Sequence, residues 1–131
     1  MESIKLTKKF AVKPKVIYSA WLNSKAHSKM TGSKAKVNPK LNSVFSAWDG
    51  YITGKTTDLK SNEKIVQQWR TTEFPEGAPD SILEIGLEET AEGTKMTMVH
   101  KNIPEGQSAN YKSGWEEYYF KPMQEYFNKK K

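Results

Sequence analysis

Residues 108–127 read SANYKSGWEEYYFKPMQEYF and form the longest segment of the chain with helical periodicity. Large apolar residues recur at positions 111, 115, 118/119, 122/123 and 126. This spacing of three and four residues predicts one amphipathic α-helix. Ser108 is suited to cap its start, and Lys129–Lys131 suit the negative end of its dipole. At about 1.5 Å per residue the helix would be roughly 30 Å long, enough to cross a small domain.

Two features set this segment apart from an ordinary amphipathic helix. Pro122 lacks a backbone donor and clashes with the preceding turn, so we expect a kink near residues 118–122. Phe120, Met123 and Phe127 form a second apolar stripe beside the first. Either both stripes are core, with the helix wedged between a sheet and other elements, or the second stripe is a surface for a protein partner.

The segment upstream of residue 44 begins with a strand and continues with helices. Residues 3–12 alternate apolar and polar side chains, which predicts a half-buried strand. Pro14 suits a first helical turn, so a short helix is expected from there to about Asn23, and a second over Ser24–Met30. A lysine-rich connection follows over residues 34–43, with at most a short strand at 35–38.

The dipeptide Asp49-Gly50 lies between two segments rich in strand-forming residues, a pattern typical of a tight two-residue hairpin. Such a turn pairs Trp48 with Tyr51 and continues outward along both strands. One face of the hairpin then carries the set Phe45, Ala47, Ile52 and Gly54, with the Phe45 ring over a residue that has no side chain.

Three further strands are predicted downstream of the hairpin, at 64–72, 81–89 and 94–101, because apolar residues alternate in each. Tight connections between them favour an antiparallel sheet. The resulting order is a strand, two short helices, further strands and one long helix, which predicts an α+β domain with a curved sheet of about six or seven strands. The C-terminal helix is the element available to cover the apolar face of that sheet.

Composition and charge limit which classes of function are possible for this chain. The 131 residues fit one domain, and the absence of cysteine excludes disulfides and thiolate metal sites. No membrane-length apolar segment or signal-peptide core is present, so we expect a soluble, cytoplasmic protein. Residues 1–40 hold ten lysines and one acidic residue. Arg70 is the only arginine, however, so a solvated basic face is favoured over nucleic-acid binding.

No set of residues for catalysis or metal binding can be assembled from the sequence. The two histidines, His27 and His100, are far apart and have no clustered partners. We expect His27 at the surface of its helix. His100 shares a strand face with Met96 and Met98, so it is either an edge residue or a polar contact at the mouth of a cavity, where an acid or base role is a further alternative. We therefore expect no metal and no other cofactor.

Several segments together resemble a known family. These are Trp48–Gly54 (WDGYITG), Lys64–Arg70 (KIVQQWR), Gly93-Thr94 and the closing Gly114-Trp115 with Tyr118–Phe120 (YYF). They are similar to the C-terminal domain of the activators of heat-shock protein 90 ATPase and to its free-standing bacterial homologues. That family lies within the START-like, or polyketide-cyclase-like, superfamily. The resemblance implies a helix-grip fold, a cavity between sheet and helix, and an apolar ligand or a chaperone partner.

The sequence thus predicts a single START-like domain, spanning residues 1–131, that acts by binding. The first hypothesis is an apolar or amphipathic small molecule held under the C-terminal helix, with a hydrophobic cavity lined by Trp69, Leu83, Ile85, Met96, Met98, His100, Trp115 and Tyr119. The second is a chaperone-associated interaction module that uses the basic face or the stripe of Phe120, Met123 and Phe127. A cyclase or hydrolase-type enzyme is the weakest hypothesis, because no catalytic set can be named.

Overall fold

The structure, a computed structural model, describes residues 1–129; the helix-dipole role expected of Lys130 and Lys131 lies outside the described residues. Its centre is an antiparallel sheet of six strands in the order β1-β6-β5-β4-β3-β2. The strands are β1 (Glu2–Phe10), β2 (Val44–Ala47), β3 (Ile52–Lys60), β4 (Lys64–Thr71), β5 (Ser81–Thr90) and β6 (Gly93–Ile103). The predicted curved sheet and its covering helix are confirmed.

One face of the sheet is buried because apolar side chains alternate along its strands. Strand β5 shows the pattern most clearly, since Leu83, Ile85 and Leu87 are buried between half-buried neighbours. Met96 and Met98 occupy the same face of the adjacent β6, with Ile85 opposite Met98. This face forms the floor on which the helices pack.

The hairpin between β2 and β3 has the predicted register, with Phe45 opposite Gly54 and Ala47 opposite Ile52. Trp48, Asp49 and Gly50 all have positive φ, 52°, 55° and 92°. The amides of Gly50 and Tyr51 donate to the carbonyls of Ala47 and Trp48 at 3.3 and 3.2 Å, so two overlapping turns close the hairpin. A Cβ atom on Gly54 would lie 1.9 Å from the carbonyl oxygen of Gln68 and 2.6 Å from Cε1 of Phe45. Glycine is therefore required at position 54 by packing rather than by conformation.

Two short helices follow β1, as predicted: α1 (Pro14–Trp21) and α2 (Ser24–Thr31). The side chain of Asn23 caps α2 by accepting from the amide of Ala26 at 2.9 Å. Gly32 ends α2 in the left-handed conformation. The short strand considered at 35–38 is a single bridge between Lys36 and Ser46.

The C-terminal helix consists of α3 (Ser108–Gly114), a π-helical turn (Trp115–Phe120) and α4 (Lys121–Asn128). Where the sequence predicts a kink near residues 118–122, the structure has this π-helical turn. Pro122 accounts for it, because it has no N–H to donate to the carbonyl of Tyr118. The amide of Lys121 instead reaches back five residues to the carbonyl of Glu116, which is the π pattern. The helix continues, but with a wider turn.

The wider turn changes which side chains face the sheet. A regular helix would continue the face of Tyr111, Trp115 and Tyr119 to positions 122 and 126. The additional residue in the π turn shifts that face to Met123 and Phe127. The buried residues of the C-terminal helix therefore form one face and comprise Tyr111, Trp115, Tyr119, Phe120, Met123 and Phe127.

The hypothesis of an exposed interaction stripe on this helix is consequently wrong. Phe120, Met123 and Phe127 are only 5%, 0% and 1% exposed. Phe127 packs edge-on against Phe10 of β1, with 5.6 Å between ring centroids. Tyr118 is the large side chain of the π turn that points outward, at 61% exposure. The structure supports the alternative that the second stripe is core, whereas Tyr118 of the first stripe is exposed.

Candidate functional site

An open cleft of about 440 Å³ lies between the C-terminal helix, the β2–β3 hairpin and strand β4. Most of its lining is aromatic, because the helix presents its tyrosines and tryptophans where the hairpin presents Trp48 and Tyr51. We call it the aromatic cleft. It is lined by Trp48, Tyr51, Ile52, Trp69, Glu73, Asn110, Tyr111, Gly114, Trp115, Tyr118 and Tyr119.

Three of the eight predicted cavity residues, Trp69, Trp115 and Tyr119, line this cleft. Their rings lie close together, with 5.4 Å between the centroids of Trp69 and Trp115 and 4.9 Å between those of Trp115 and Tyr119. The other five predicted residues are buried but are not among those that line the cleft: Leu83, Ile85, Met96, Met98 and His100.

The hairpin and the loop after β4 contribute lining residues that the sequence analysis did not include, Trp48, Tyr51, Ile52 and Glu73. The sequence predicts that Trp48 pairs with Tyr51 across the hairpin but gives it no contact with the C-terminal helix. In the structure its ring packs edge-on against Tyr118 at 5.7 Å, across the mouth of the cleft. The aromatic residues on both sides of Asp49-Gly50 were a usable signal, because a tight turn places them side by side.

His100 lies beneath the cleft with both ring nitrogens engaged. The indole Nε1 of Trp115 donates to His100 Nδ1 at 3.2 Å, and His100 Nε2 lies 2.8 Å from the hydroxyl of Ser81. Ser81 in turn donates to the carbonyl oxygen of Trp69 at 2.6 Å. The imidazole is therefore neutral, with its proton on Nε2. Burial lowers the pKa of His100 to about 3, consistent with this neutral form.

The contact between Ser81 and His100 does not have the direction that nucleophilic catalysis requires. A nucleophilic serine donates its proton to the histidine, whereas Ser81 donates to Trp69 and accepts from His100. Both side chains are also fully buried. The pair therefore connects β4, β5 and β6 and positions the indole of Trp115.

The expectation that His27 is a surface residue is wrong. His27 is 3% exposed, because α2 turns it inward against Trp21. Its Nδ1 donates to the carbonyl oxygen of Trp21 at 2.8 Å, so its Nε2 accepts from the hydroxyl of Tyr119 at 2.9 Å. Burial lowers the pKa of His27 and raises that of Tyr119. No sequence pattern links residues 27 and 119; only the packing of α2 on the π turn brings them together.

At the mouth of the cleft, Tyr51 donates its hydroxyl hydrogen to the carboxylate of Glu73. Burial, followed by this hydrogen bond, raises the pKa of Tyr51 to about 12. Nearby, the hydroxyl of Tyr111 donates to Gln107 Oε1 at 2.6 Å and lies 2.7 Å from that of Thr71. These bonds attach the start of α3 to the end of β4.

Within residues 1–129, no group of three or more His, Cys, Asp and Glu side chains converges as a metal site would require. The same part of the chain contains no helix that is long and apolar enough to cross a membrane. Its buried side-chain nitrogen and oxygen atoms all have hydrogen-bond partners. The aromatic cleft, with its mainly aromatic lining, is the candidate ligand site considered below.

Comparison with solved structures supports the fold. An HSP90 activator from Plasmodium falciparum superimposes with a TM-score of 0.79 at 25% identity, covering 92% of this chain and 91% of that one. The Aha1 dimer from Colwellia psychrerythraea gives a TM-score of 0.82 at 18% identity, covering 97% and 96%. DynU16, from the dynemicin biosynthetic locus, gives 0.82 at 12% identity, covering all of this chain and 49% of that one.

Sequence comparison extends over almost the whole chain. The human activator of 90 kDa heat shock protein ATPase homolog 1 is 27% identical over 124 residues, which are 95% of this chain and 36% of the human protein. The chain thus spans about a third of the length of that relative. The family model described as Activator of Hsp90 ATPase homolog 1-like protein matches residues 11–128. With the helix-grip fold and the resembling segments inside the matched range, the chain belongs to this family.

Proposed function

We propose that this domain binds an apolar or amphipathic small molecule in the aromatic cleft and does not catalyse a reaction. The size and lining of the cleft carry the proposal. Its volume of about 440 Å³ falls within the range of small-molecule sites, and seven of its eleven lining residues are aromatic. Burial of a ligand's apolar surface against these rings would supply the affinity.

The cleft walls are held in place before any ligand arrives. Trp115 and Tyr119 are fixed by His100 and His27, and Tyr111 is fixed by Gln107. Ordering these side chains on binding therefore costs little, which favours affinity. The same bonds leave no free base or nucleophile among these residues, so binding is favoured over catalysis.

Gly114 offers a direct test because it lines the cleft without a side chain. A Cβ atom at this position would meet no atom within 4 Å, so Gly114→Ala keeps the cleft open. Gly114→Leu would extend into it. Native mass spectrometry of the purified protein, followed by thermal-shift measurements with long-chain alcohols, should show binding to wild type and Gly114→Ala but not to Gly114→Leu. No ligand and no shift with wild type would overturn the proposal, and so would equal shifts in all three proteins.

A second candidate function is a chaperone-associated interaction module, favoured by the sequence relationship to the human activator over 95% of this chain. Nine of the ten lysines in residues 1–40 are exposed. None of the ion pairs within residues 1–129 involves a lysine of this segment, so this basic face is open to an acidic partner. Stimulation of the ATPase of the cognate heat-shock protein 90, lost when Lys25 and Lys29 are changed to Glu, would support this function. Absence of stimulation by wild type would exclude it.

A further inference from the structure

Four of the seven aromatic residues that line the cleft direct their polar hydrogens away from a ligand. The hydroxyl of Tyr119 donates to His27, that of Tyr111 to Gln107 and that of Tyr51 to Glu73, while the indole of Trp115 donates to His100. A carboxylate, phosphate or sulfate ligand needs such donors. These four residues therefore present no free donor, which disfavours anionic groups at their positions in the cleft.

The charge of the cleft also disfavours anionic ligands. Among residues 1–129, the one charged side chain that lines the cleft is the carboxylate of Glu73, at its mouth beside Tyr51. No lysine or arginine of the described residues lines it, although the chain as a whole carries a net charge of +6. Glu73 also contributes to the raised pKa values of Tyr51 and Tyr111, after the larger effect of burial.

Tryptophan and tyrosine rings attract cations through the negative potential at their faces, and tryptophan does so most strongly. Trp48, Trp69 and Trp115 all line the cleft, together with four tyrosines. A quaternary ammonium group needs no hydrogen-bond partner, so donors that are already engaged within the protein do not penalise it. A nearby carboxylate adds a favourable Coulomb interaction.

We propose that the aromatic cleft selects organic cations, specifically amphiphiles with an alkylammonium group, over neutral and anionic amphiphiles of the same shape. The alkyl chain lies against the rings, and the ammonium group lies among the aromatic side chains near Glu73. This inference rests on the proposed function, since it names the ligand class of the same cleft.

The test compares probes that differ in charge but hardly in shape. (6-Hydroxyhexyl)trimethylammonium and 7,7-dimethyloctan-1-ol are isosteres in which a quaternary carbon replaces the ammonium nitrogen, and octanoate serves as the anionic probe. Calorimetric titration should show that wild type binds the cation roughly tenfold more tightly than the neutral alcohol, with no detectable binding of octanoate. Simple apolar burial would favour the neutral probe instead, so the order of affinities is decisive.

The variant Glu73→Gln removes the charge but keeps an oxygen that accepts from Tyr51. This variant should bind the cation severalfold more weakly than wild type does, and it should bind the neutral alcohol with unchanged affinity. Glu76→Gln is the matched control, because Glu76 is exposed on the same loop and does not line the cleft. Thermal unfolding without ligand should be the same for both variants.

The outcomes separate the two proposals. Preference for the cation with dependence on Glu73 supports this inference. Binding of the neutral alcohol with equal or higher affinity than the cation overturns the inference but leaves the apolar cleft intact. Failure of both these probes, and of the long-chain alcohols, would contradict the proposed function and this inference together.

Discussion

The indole Nε1 of Trp115 donates to His100 Nδ1 at 3.2 Å, within the core of the domain. Four residues later, the hydroxyl of Tyr119 donates to His27 Nε2 at 2.9 Å. Two of the three buried aromatic residues of the π turn are thus held by histidines that accept through an unprotonated nitrogen. Protonation of either histidine would break the bond and place an unpaired charge in the core.

The domain should consequently lose stability in mildly acidic solution. The pKa values of His27 and His100 are lowered from 6.5, the latter to about 3, so the unfolded chain binds more protons as the pH falls through 6.5. Each histidine should lower the free energy of unfolding by up to about 1.4 kcal/mol per pH unit below that value. Urea unfolding between pH 7 and pH 5, where ordinary carboxylates stay ionised, measures this slope.

The variant His100→Asn isolates the contribution of one histidine. Its side-chain oxygen can still accept from Trp115, but it does not titrate. It should be less stable than wild type at pH 7. The slope of its unfolding free energy with pH should correspond to about one proton fewer taken up on unfolding. An unchanged slope would show that His100 is not the acid-sensitive group.

Tyr119→Phe removes one hydroxyl from the buried contact with His27. The unsatisfied Nε2 of His27 should cost about 1–3 kcal/mol in the free energy of unfolding, because no water reaches it. Tyr118→Phe is the control, since Tyr118 is adjacent and 61% exposed. Its effect should stay within about 0.5 kcal/mol. Equal effects of the two substitutions, measured by denaturant unfolding, would contradict the assigned hydrogen bond.

Gly54→Ala should prevent correct pairing of β3 with β4, because the new Cβ would overlap the carbonyl oxygen of Gln68. Overlap with backbone cannot be relieved by a rotamer change, so we expect a loss of more than about 3 kcal/mol or no folded protein. Gly86→Ala in β5 is the matched control, since its nearest atom would lie 3.9 Å away. Circular dichroism and thermal unfolding of both variants distinguish close packing from the general cost of replacing a strand glycine.

Phe127→Ala should cost roughly 3–5 kcal/mol, since it removes a buried ring that packs on Phe10. If Phe127 were instead part of a surface for partners, the variant would unfold like wild type and lose binding. Tyr118→Ala, in which an exposed ring is removed, should change stability much less. The denaturant midpoints of the two variants show whether Phe127 belongs to the core or to a surface for partners.

Much of the architecture follows from local sequence. The alternation of Leu83, Ile85 and Leu87, the turn residues Asp49 and Gly50 and the helical spacing over 108–127 each act over a few neighbouring residues. These local patterns predict an antiparallel sheet with one apolar face and a helix that covers it. The prediction therefore needs no knowledge of distant contacts. The position of Phe45 over Gly54 follows in the same way, because the hairpin turn sets the register.

The candidate site depends on contacts between distant segments. Trp48 and Tyr118 are separated by seventy residues in sequence, and their ring contact arises only when the hairpin meets the π turn. The same holds for His27, which the lysine-rich sequence around it predicts to lie at the surface, whereas the structure shows it hydrogen-bonded to Tyr119. Periodicity reports which side chains share a face, not which faces meet.

The segment 108–127 shows which properties depend on local sequence and which depend on tertiary structure. Its own residues determine that it is helical, aromatic on one side and disturbed at Pro122, because propensity, periodicity and the missing proline donor are local properties. Tertiary structure alone decides that the disturbance is a π turn, that Phe120, Met123 and Phe127 are core, and that Tyr118 remains outside. A shift of one residue in helical phase reverses these assignments, and only packing against the sheet selects the phase that buries most apolar surface.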